Sequence, residues 1–141
     1  MFEFVGGTVA GSADDTWISR LIDAAKLEAR RLGAAFSFAI VDEGGHLRYF
    51  ERQPDAPLFS CHLAEDKAYT AAITGRTTAD WAEMSQEELV VSCGLMNLER
   101  FMPLPGGVPI ILGGQAVGAL GVSGGTWRQD VAVADSALAV L

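Results

Sequence analysis

Basic residues are scarce in this sequence. Lys and Arg together number 10 against 18 Asp and Glu, so the formal net charge is −8 over 141 residues. The basic residues are scattered, and Arg30 and Arg31 form their one adjacent pair. Because nucleic-acid phosphates are bound by clustered Lys and Arg, this balance argues against a nucleic-acid partner. An anionic ligand would have to be held by local cations or by backbone N–H groups.

Cysteine and histidine are equally sparse, with two residues of each type. Cys61 and Cys93 fit neither a disulfide framework nor a zinc-ligand spacing, so a reducing cytoplasm is the expected location. No H-x-x-x-H, H-E-x-x-H or C-x-x-C pattern occurs anywhere in the sequence. A metal site built by the protein alone is therefore not expected.

Long apolar runs are missing as well. No run approaches the roughly 20 residues that a membrane-spanning helix needs. Residues 1–15 carry acids in place of the basic segment that begins a secretory signal. Hydrophobic residues nevertheless make up 50% of the chain and charged residues 20%. This composition predicts a single globular domain over residues 1–141, large enough to bury a core.

What the sequence has in abundance is glycine, and half of its 16 glycines lie in a single stretch near the C-terminus. Within that stretch, residues 108–112 predict a strand, residues 113–114 a tight Gly-Gly turn and residues 115–122 the returning strand. Gly118 and Gly121 weaken the returning strand. They indicate a bulge, or a place where a ligand or another backbone comes close.

A second glycine loop follows this hairpin. Residues 123–125 read Ser-Gly-Gly, and Thr126 and Gln129 have the spacing of a capping box at the start of a helix. A strand, a glycine loop and a helix N-terminus in this order favour anion binding, because N–H groups and the helix dipole point outward there. A hairpin followed by a capped helix with no ligand would explain the same pattern.

Apolar periodicity and capping residues predict the other elements. The first are a helix over 14–32 and two hairpin strands over 35–42 and 46–52. A helix over 60–73 follows, then a turn that carries Trp81. The next helix begins at the capping-box spacing of Ser85 and Glu88. Residues 95–105 are expected to be irregular. The last helix is predicted to place one apolar face inward, formed by Val131, Ala134, Ala137, Leu138 and Leu141. The predicted order is α-β-β-α-α-β-β-α, with helices available for both faces of a sheet.

Lys67 is the leading candidate for chemistry. It is predicted in the middle of a helix, with Leu63 and Ala71 one turn away on an apolar flank. A lysine in such surroundings acts as a base, a Schiff-base amine or a clamp for an anion. An exposed Lys67 paired with Glu65 or Asp66 would fit the spacing as well.

The two histidines are candidates for proton transfer or iron ligation. His62 lies beside Cys61 near a predicted helix start, where neighbouring side chains diverge by about 100°, so the two are poor partners for each other. His46 follows a Gly-Gly turn, a position from which it can ligate a metal or haem. A surface or subunit-interface position explains either histidine equally well.

Five further side chains complete the candidates. Asp42 and Asp130 flank a glycine turn and a helix start, and turn or cap contacts would account for both. Arg52 and Arg76 are placed to meet a carboxylate through a bidentate contact. Trp127 offers a flat apolar wall to a planar ligand, although a place in the core is an equal alternative.

Four motifs occur in order over roughly 90 residues. They are AIVDEGGHL at 39–47, DKAYTA at 66–71, GGVPI at 106–110 and VGALGVSGG at 117–125, the last followed by Asp130. Together they resemble the GlcG/HbpS-type domain, a family commonly described as haem-binding or haem-degrading. The resemblance implies an α/β (α+β) fold, a three-layer sandwich in which helices cover both faces of a largely antiparallel central sheet. It also implies a homo-oligomer.

Some segments depart from the usual pattern of that family. Residues 60–62 (Ser-Cys-His), Trp127 and residues 98–104 are individual to this chain. Changes of this kind around a shared scaffold suggest a pocket adapted to its own ligand. No iron ligand is carried over from the family, because ligation is not tied to one shared motif position. The apolar fraction of 50% in a 14.9 kDa chain also favours a homo-oligomer.

Two functions are compatible with these features. The first is a cytoplasmic homo-oligomer that holds haem or a similar anionic ligand, with His46 or His62 on the iron and Arg52 or Lys67 at the propionates. The second is a cofactor-free hydrolase or deaminase acting on a small carboxylate, such as an aminomuconate-type ring-cleavage product. Its catalytic residues would be Lys67, His62 and Asp130. The predicted ligand-binding residues are Arg52, Arg76, Gly106, Gly107, Ser123, Gly124, Gly125 and Trp127.

Overall fold

The structure, a computed structural model, describes residues 15–141. The described part of the chain contains five helices and four strands: α1 (Thr16–Leu32), β1 (Ser37–Val41), β2 (Leu47–Arg52), α2 (Ser60–Thr74), α3 (Thr78–Glu87), α4 (Leu89–Leu95), β3 (Gly107–Leu112), β4 (Gln115–Ser123) and α5 (Trp127–Leu138). The predicted first residue of the first helix, Asp14, lies outside the described residues. None of the helices described is both long and apolar enough to cross a membrane.

The four strands form one sheet in the order β2-β1-β4-β3. Each neighbouring pair is antiparallel, so the predicted antiparallel sheet is confirmed. β1 and β4 occupy the centre because they pair with each other and each also pairs with one hairpin partner. The end of β4 consequently lies deep in the molecule.

Helices cover both faces of the sheet, as predicted. Side chains alternate along the central strands, so Phe38 and Ile40 join a large core beneath α1 and α5, whereas Ala39 and Val41 face α2. The contact between α2 and the sheet is built almost entirely from alanine: Ala64, Ala68 and Ala71 on the helix, and Ala39 and Ala119 on the sheet. Small side chains on both surfaces let this helix approach the sheet closely.

Gly121 marks the closest approach of α2 to the sheet. It pairs with Ala39 on one side and Gly107 on the other, in the middle of the sheet. A Cβ atom at this position would overlap the carbonyl oxygen of Ala64 and lie 2.7 Å from the backbone nitrogen of Ala68. The predicted close approach of another backbone is therefore confirmed here, and the helix itself is that backbone.

The predicted turn and helix start near the C-terminus are also confirmed. Gly113 and Gly114 have φ angles of +56° and +80°, the positive values that a tight two-residue hairpin turn requires. Thr126 and Gln129 form a reciprocal capping box at the start of α5. The predicted bulge lies next to Gly118, where the pairing register of β3 and β4 shifts between Ile110 and Ile111.

Residues 77–95 differ from the sequence prediction. The turn predicted around Trp81 is the helix α3, whose start is capped by the side chain of Thr77. Ser85 lies inside α3, and α4 begins after Glu88 without a side-chain cap, so the predicted Ser85/Glu88 capping box was wrong. Tertiary contacts favour the longer helix, because the Trp81 ring packs edge-on against Phe101 at 5.4 Å between centroids.

The buried face of α5 also differs from the prediction. Val133 is buried together with Ala134 and Ala137, whereas Val131 is half-buried and Leu141 lies beyond the helix and is exposed. The buried residues of α5 are Asp130, Val133, Ala134 and Ala137, so the inward-facing stripe starts one residue earlier than expected. Asp130 therefore belongs to the buried face.

Candidate ligand-binding site

A buried ion pair joins α2 to α5 at the end of β4. Lys67 Nζ donates to Asp130 Oδ2 at 2.9 Å and to the carbonyl oxygen of Val122 at 2.9 Å. The two side chains are only 2% and 5% exposed. Lys67 thus does not pair with its neighbour Asp66, which binds Arg100 instead. Buried charges of this kind are rare unless they are paired, and here the pairing is complete.

Burial and attraction act in opposite directions on the two charges. Burial lowers the pKa of Lys67, and the neighbouring Asp130 carboxylate partly opposes that shift. Burial likewise raises the pKa of Asp130, opposed by Lys67 and by a hydrogen bond from the Gly125 N–H at 3.0 Å. The pKa values of the two groups therefore move toward each other, which reduces the free energy needed to transfer a proton between them.

Two glycines of the GGVPI motif leave room for the lysine. A Cβ atom at Gly106 would lie 3.1 Å from Lys67 Nζ and 3.1 Å from Asp130 Cβ. A Cβ atom at Gly107 would overlap the carbonyl oxygen of Lys67. The N–H of Gly107 donates to Thr78 Oγ1 at 2.8 Å. Both predicted glycines therefore lie beside Lys67. Their ligand-binding role stays a prediction, because their contacts are with the protein itself.

A cleft of about 180 Å³ opens above the ion pair. We call it the Lys67 cleft. Lys67 and Asp130 form its floor, and its other lining residues are Phe59, Leu63, Leu104, Pro105, Ser123, Gly124, Gly125 and Trp127. The structure thus brings Lys67, Asp130, Trp127 and the Ser-Gly-Gly loop, all singled out from the sequence, into one place.

A second cavity of about 490 Å³ adjoins the cleft and shares Leu104, Pro105 and Trp127 with it. We call it the α3 groove, because α3 forms its opposite wall through Ala79, Ala82, Glu83 and Gln86. Trp127, one of the three shared residues, is 54% exposed. A flat ligand lying on Trp127 would reach both cavities.

Three exposed apolar side chains, Phe59, Leu104 and Trp127, form the rim of the Lys67 cleft. The Arg128 guanidinium lies over the Trp127 ring, with its central carbon 4.3 Å from the ring centroid. Sequence reasoning missed Phe59 and Leu104 as lining residues of the cleft, and it missed Arg128, which lines neither cavity but contacts Trp127. The individual character of residues 98–104 was the one signal that pointed toward Leu104.

Neither histidine lies in the cavities. The His46 side chain is 82% exposed, and its Nδ1 lies 3.1 Å from Asp42 Oδ1. Asp42 also accepts hydrogen bonds from the N–H groups of Gly44 and His46, so it has the turn role considered from the sequence. His62 is exposed on α2 and lines neither space. Iron ligation and proton transfer by either histidine stay predictions.

The two arginines proposed from the sequence also lie elsewhere. Arg52 donates to the carbonyl oxygens of Pro54 and Ala56 and so holds the loop after β2. Arg76 lies over the ring of Trp81 at 5.8 Å from its centroid. Within one chain, neither reaches the Lys67 cleft, and their role at a carboxylate stays a prediction.

The chemistry of the two cavities limits how they can hold haem. Proteins ligate haem iron mainly through His, Cys, Met or Tyr, and none of these lines either space. Among residues 15–141 no group of three or more His, Cys, Asp or Glu is placed to hold a metal ion. The two cavities offer apolar side chains and Lys67 to a tetrapyrrole, but they offer its iron none of those four ligands.

An antiparallel four-stranded sheet between two helical layers, with a ligand-sized cleft over a buried lysine, defines a small α+β ligand-binding domain. The chain belongs to the family described as "Haem degrading protein HbpS-like", which matches residues 14–139. The GlcG/HbpS resemblance and the fold class expected from the sequence are both confirmed by this match and by the solved structures of similar proteins.

Three relatives illustrate the family. Protein GlcG of Escherichia coli strain K12 is 38% identical over 108 residues, which cover 74% of this chain and 76% of GlcG. The crystal structure of a PduOC:Heme complex has a TM-score of 0.82 and 30% identity, covering 89% of this chain and 92% of that one. A double mutant of Streptomyces reticuli HbpS has a TM-score of 0.82 and 26% identity, covering 100% and 96% of the two chains. None of these names describes a deaminase or hydrolase, so that alternative gains no support.

Proposed function

We propose that this protein binds haem or a similar flat anionic ligand against Trp127, with a carboxylate of the ligand directed into the Lys67 cleft. The observation that carries the proposal is a buried lysine under a cleft whose rim is exposed and apolar. Membership of a haem-degrading family and the resemblance to a protein crystallised with haem support haem as the ligand.

Each part of the site has a separate role in this proposal. Asp130 already neutralises the charge of Lys67. The floor of the cleft therefore offers an incoming carboxylate a hydrogen-bond donor rather than a net positive charge. Arg128 supplies a net cation at the rim, where it lies over Trp127. Residues 123–125 line the cleft at the start of α5, where the positive end of the helix dipole favours an anion. A protein with a net negative charge can thereby bind an anion at this site.

The iron of a bound haem would need a ligand from outside these cavities. His46 and His62 are the two histidines of the chain, and both are exposed. In a homo-oligomer, either histidine is available to a neighbouring copy. The proposed protein is therefore a cytoplasmic homo-oligomer, in keeping with free thiols at Cys61 and Cys93.

Haem titration of the purified protein tests the site. Replacing Trp127 with Ala removes the flat wall shared by the two cavities and is expected to weaken haem binding about tenfold, since loss of one aromatic contact costs about 1.4 kcal/mol. Ile111→Ala is the control, because Ile111 is exposed on β3 away from both cavities. Equal dissociation constants for Trp127→Ala and the unmodified protein would contradict the proposed site.

The same titration examines the iron ligand. The Soret band is expected to shift on binding and to change when the ligating histidine is replaced in His46→Ala or His62→Ala. If the spectrum of the double variant matched that of the unmodified protein, histidine ligation would be ruled out while the Trp127 site remained open to its own test.

The oligomer makes a separate prediction. Leu89, Val90 and Met96 expose apolar side chains on and just after α4, and Val90 is 87% exposed. Light scattering at micromolar concentration is expected to give a mass well above the 14.9 kDa of one chain. Val90→Glu is expected to lower that mass, because burying a charge in a subunit interface costs free energy. Leu27→Glu on α1 is the matched control. A monomeric unmodified protein would contradict the proposal.

A further inference from the structure

The chain contains two lysines, and their surroundings differ sharply. Lys26 is partly exposed on α1 and pairs with Glu51 at 2.7 Å. Lys67 is buried, yet it forms the floor of the Lys67 cleft together with Asp130. A buried amine that borders a cavity meets small molecules without competition from bulk water.

Lys67 lines the Lys67 cleft, and its amine is held by two hydrogen bonds from within the protein. These go to Asp130 Oδ2 and the Val122 carbonyl oxygen. Next to it lies Gly106, which has no side chain, and a Cβ there would come within 3.1 Å of Nζ. An ammonium group has three N–H donors, so one donor is left over after these two hydrogen bonds.

The same pair can make the amine nucleophilic. A lysine reacts with a carbonyl compound only as the neutral amine, and Asp130 is a proton acceptor 2.9 Å away. Burial lowers the pKa of Lys67 and raises that of Asp130. Transfer of the proton from Nζ to Oδ2 removes both buried charges together, so it needs no separated charge in the interior.

We propose that Lys67 forms an imine with a small aldehyde or 2-oxo acid that enters the Lys67 cleft. The cleft volume of about 180 Å³ suits a reactant of a few carbon atoms. This covalent chemistry goes beyond ligand binding at Trp127 and does not depend on haem.

The reaction balances with the residues present. Asp130 takes a proton from Nζ, the nitrogen lone pair forms a C–N bond to the carbonyl carbon, and the C=O electron pair moves to oxygen, which takes that proton. The nitrogen then passes a second proton through Asp130 to the hydroxyl group. The C–O bond breaks, water leaves, and a protonated imine remains beside the Asp130 carboxylate. No oxidant or reductant is consumed.

Reductive trapping of the unmodified protein tests the proposal. The folded protein is treated at pH 7 with cyanoborohydride and either pyruvate or propanal, and the modified residues are mapped by mass spectrometry. Lys67 is expected to be modified several-fold faster than Lys26, because burial lowers the pKa of Lys67 and so raises the fraction of its amine that is neutral at pH 7. In urea the preference should vanish, since the cleft no longer exists. The pyruvate and propanal arms show whether a carboxylate on the reactant is preferred.

The proposal would be overturned if Lys26 were modified in the folded protein while Lys67 reacted only after urea was added. Lys67 and Asp130 would then be a purely structural ion pair. A Lys67→Met/Asp130→Asn variant, which keeps no buried charge, should lose the adduct at position 67, whereas Lys26→Met should keep it. Haem titration of the same samples separates the two ideas. Trapping without haem binding contradicts the proposed function alone, and haem binding without trapping contradicts the imine alone.

Discussion

Asp130→Asn is expected to lower the free energy of unfolding by about 3–5 kcal/mol, because it leaves the Lys67 charge buried without a partner. Lys67→Met is expected to have a similar effect, because Asp130 would then be the unpaired charge. The 2% exposure of Lys67 and its bond to Asp130 support a large effect in both variants. Urea unfolding followed by circular dichroism measures both losses.

The double variant Lys67→Met/Asp130→Asn is the matched control for these two single variants and completes a double-mutant cycle. It removes both charges together, so its stability is expected to exceed that of either single variant, despite the lost hydrogen bond to Val122. Additive losses in the double variant would show that the two side chains stabilise the protein independently. That result would contradict an ion pair as the link between α2 and α5.

Gly121→Ala is expected to destabilise the protein by about 3 kcal/mol, toward the upper end of the range for overpacked cores. The added methyl group would overlap the Ala64 carbonyl oxygen, and a backbone atom cannot rotate away as a side chain can. Helix α2 would have to move off the sheet. Urea unfolding compares this variant with the unmodified protein.

Gly94→Ala serves as the control for Gly121→Ala. Gly94 lies in α4, and nothing else comes within 4 Å of a Cβ placed there. Alanine is favoured over glycine within helices, so this variant is expected to gain about 0.5–1 kcal/mol. If Gly121→Ala were as stable as the unmodified protein, the close contact between α2 and β4 would be contradicted.

Most of the fold was predictable because its elements depend on local signals. Gly33 and Gly75 end the first two helices, and the Gly-Gly turn at 113–114 fixes the C-terminal hairpin. The α3 helix was missed because local signals do not decide it. Its Trp81 contacts Phe101 and donates a hydrogen bond to Thr74 Oγ1 at 2.9 Å, and those partners are distant in sequence or on another element.

The candidate site was predictable only in part. Lys67 and the loop from Ser123 to Gly125 could be selected because motif and helix spacing mark them. That Asp130 is the partner of Lys67 depends on two helices from opposite layers meeting at the end of β4. The same holds for the rim residue Phe59, which reaches the cleft only once α2 is packed on the sheet. Pairing across 63 residues leaves no periodic pattern in a single sequence.

The floor and the rim of the Lys67 cleft differ in how freely they can change during evolution. Lys67 and Asp130 are tied to each other and to backbone atoms, so a change in either disturbs the attachment of two helices. Phe59, Leu104 and Trp127 stand exposed around the opening, where substitutions seldom change stability by more than about 0.5 kcal/mol. Descendants of one ancestral domain can therefore acquire new ligands through their rims and inherit the floor unaltered.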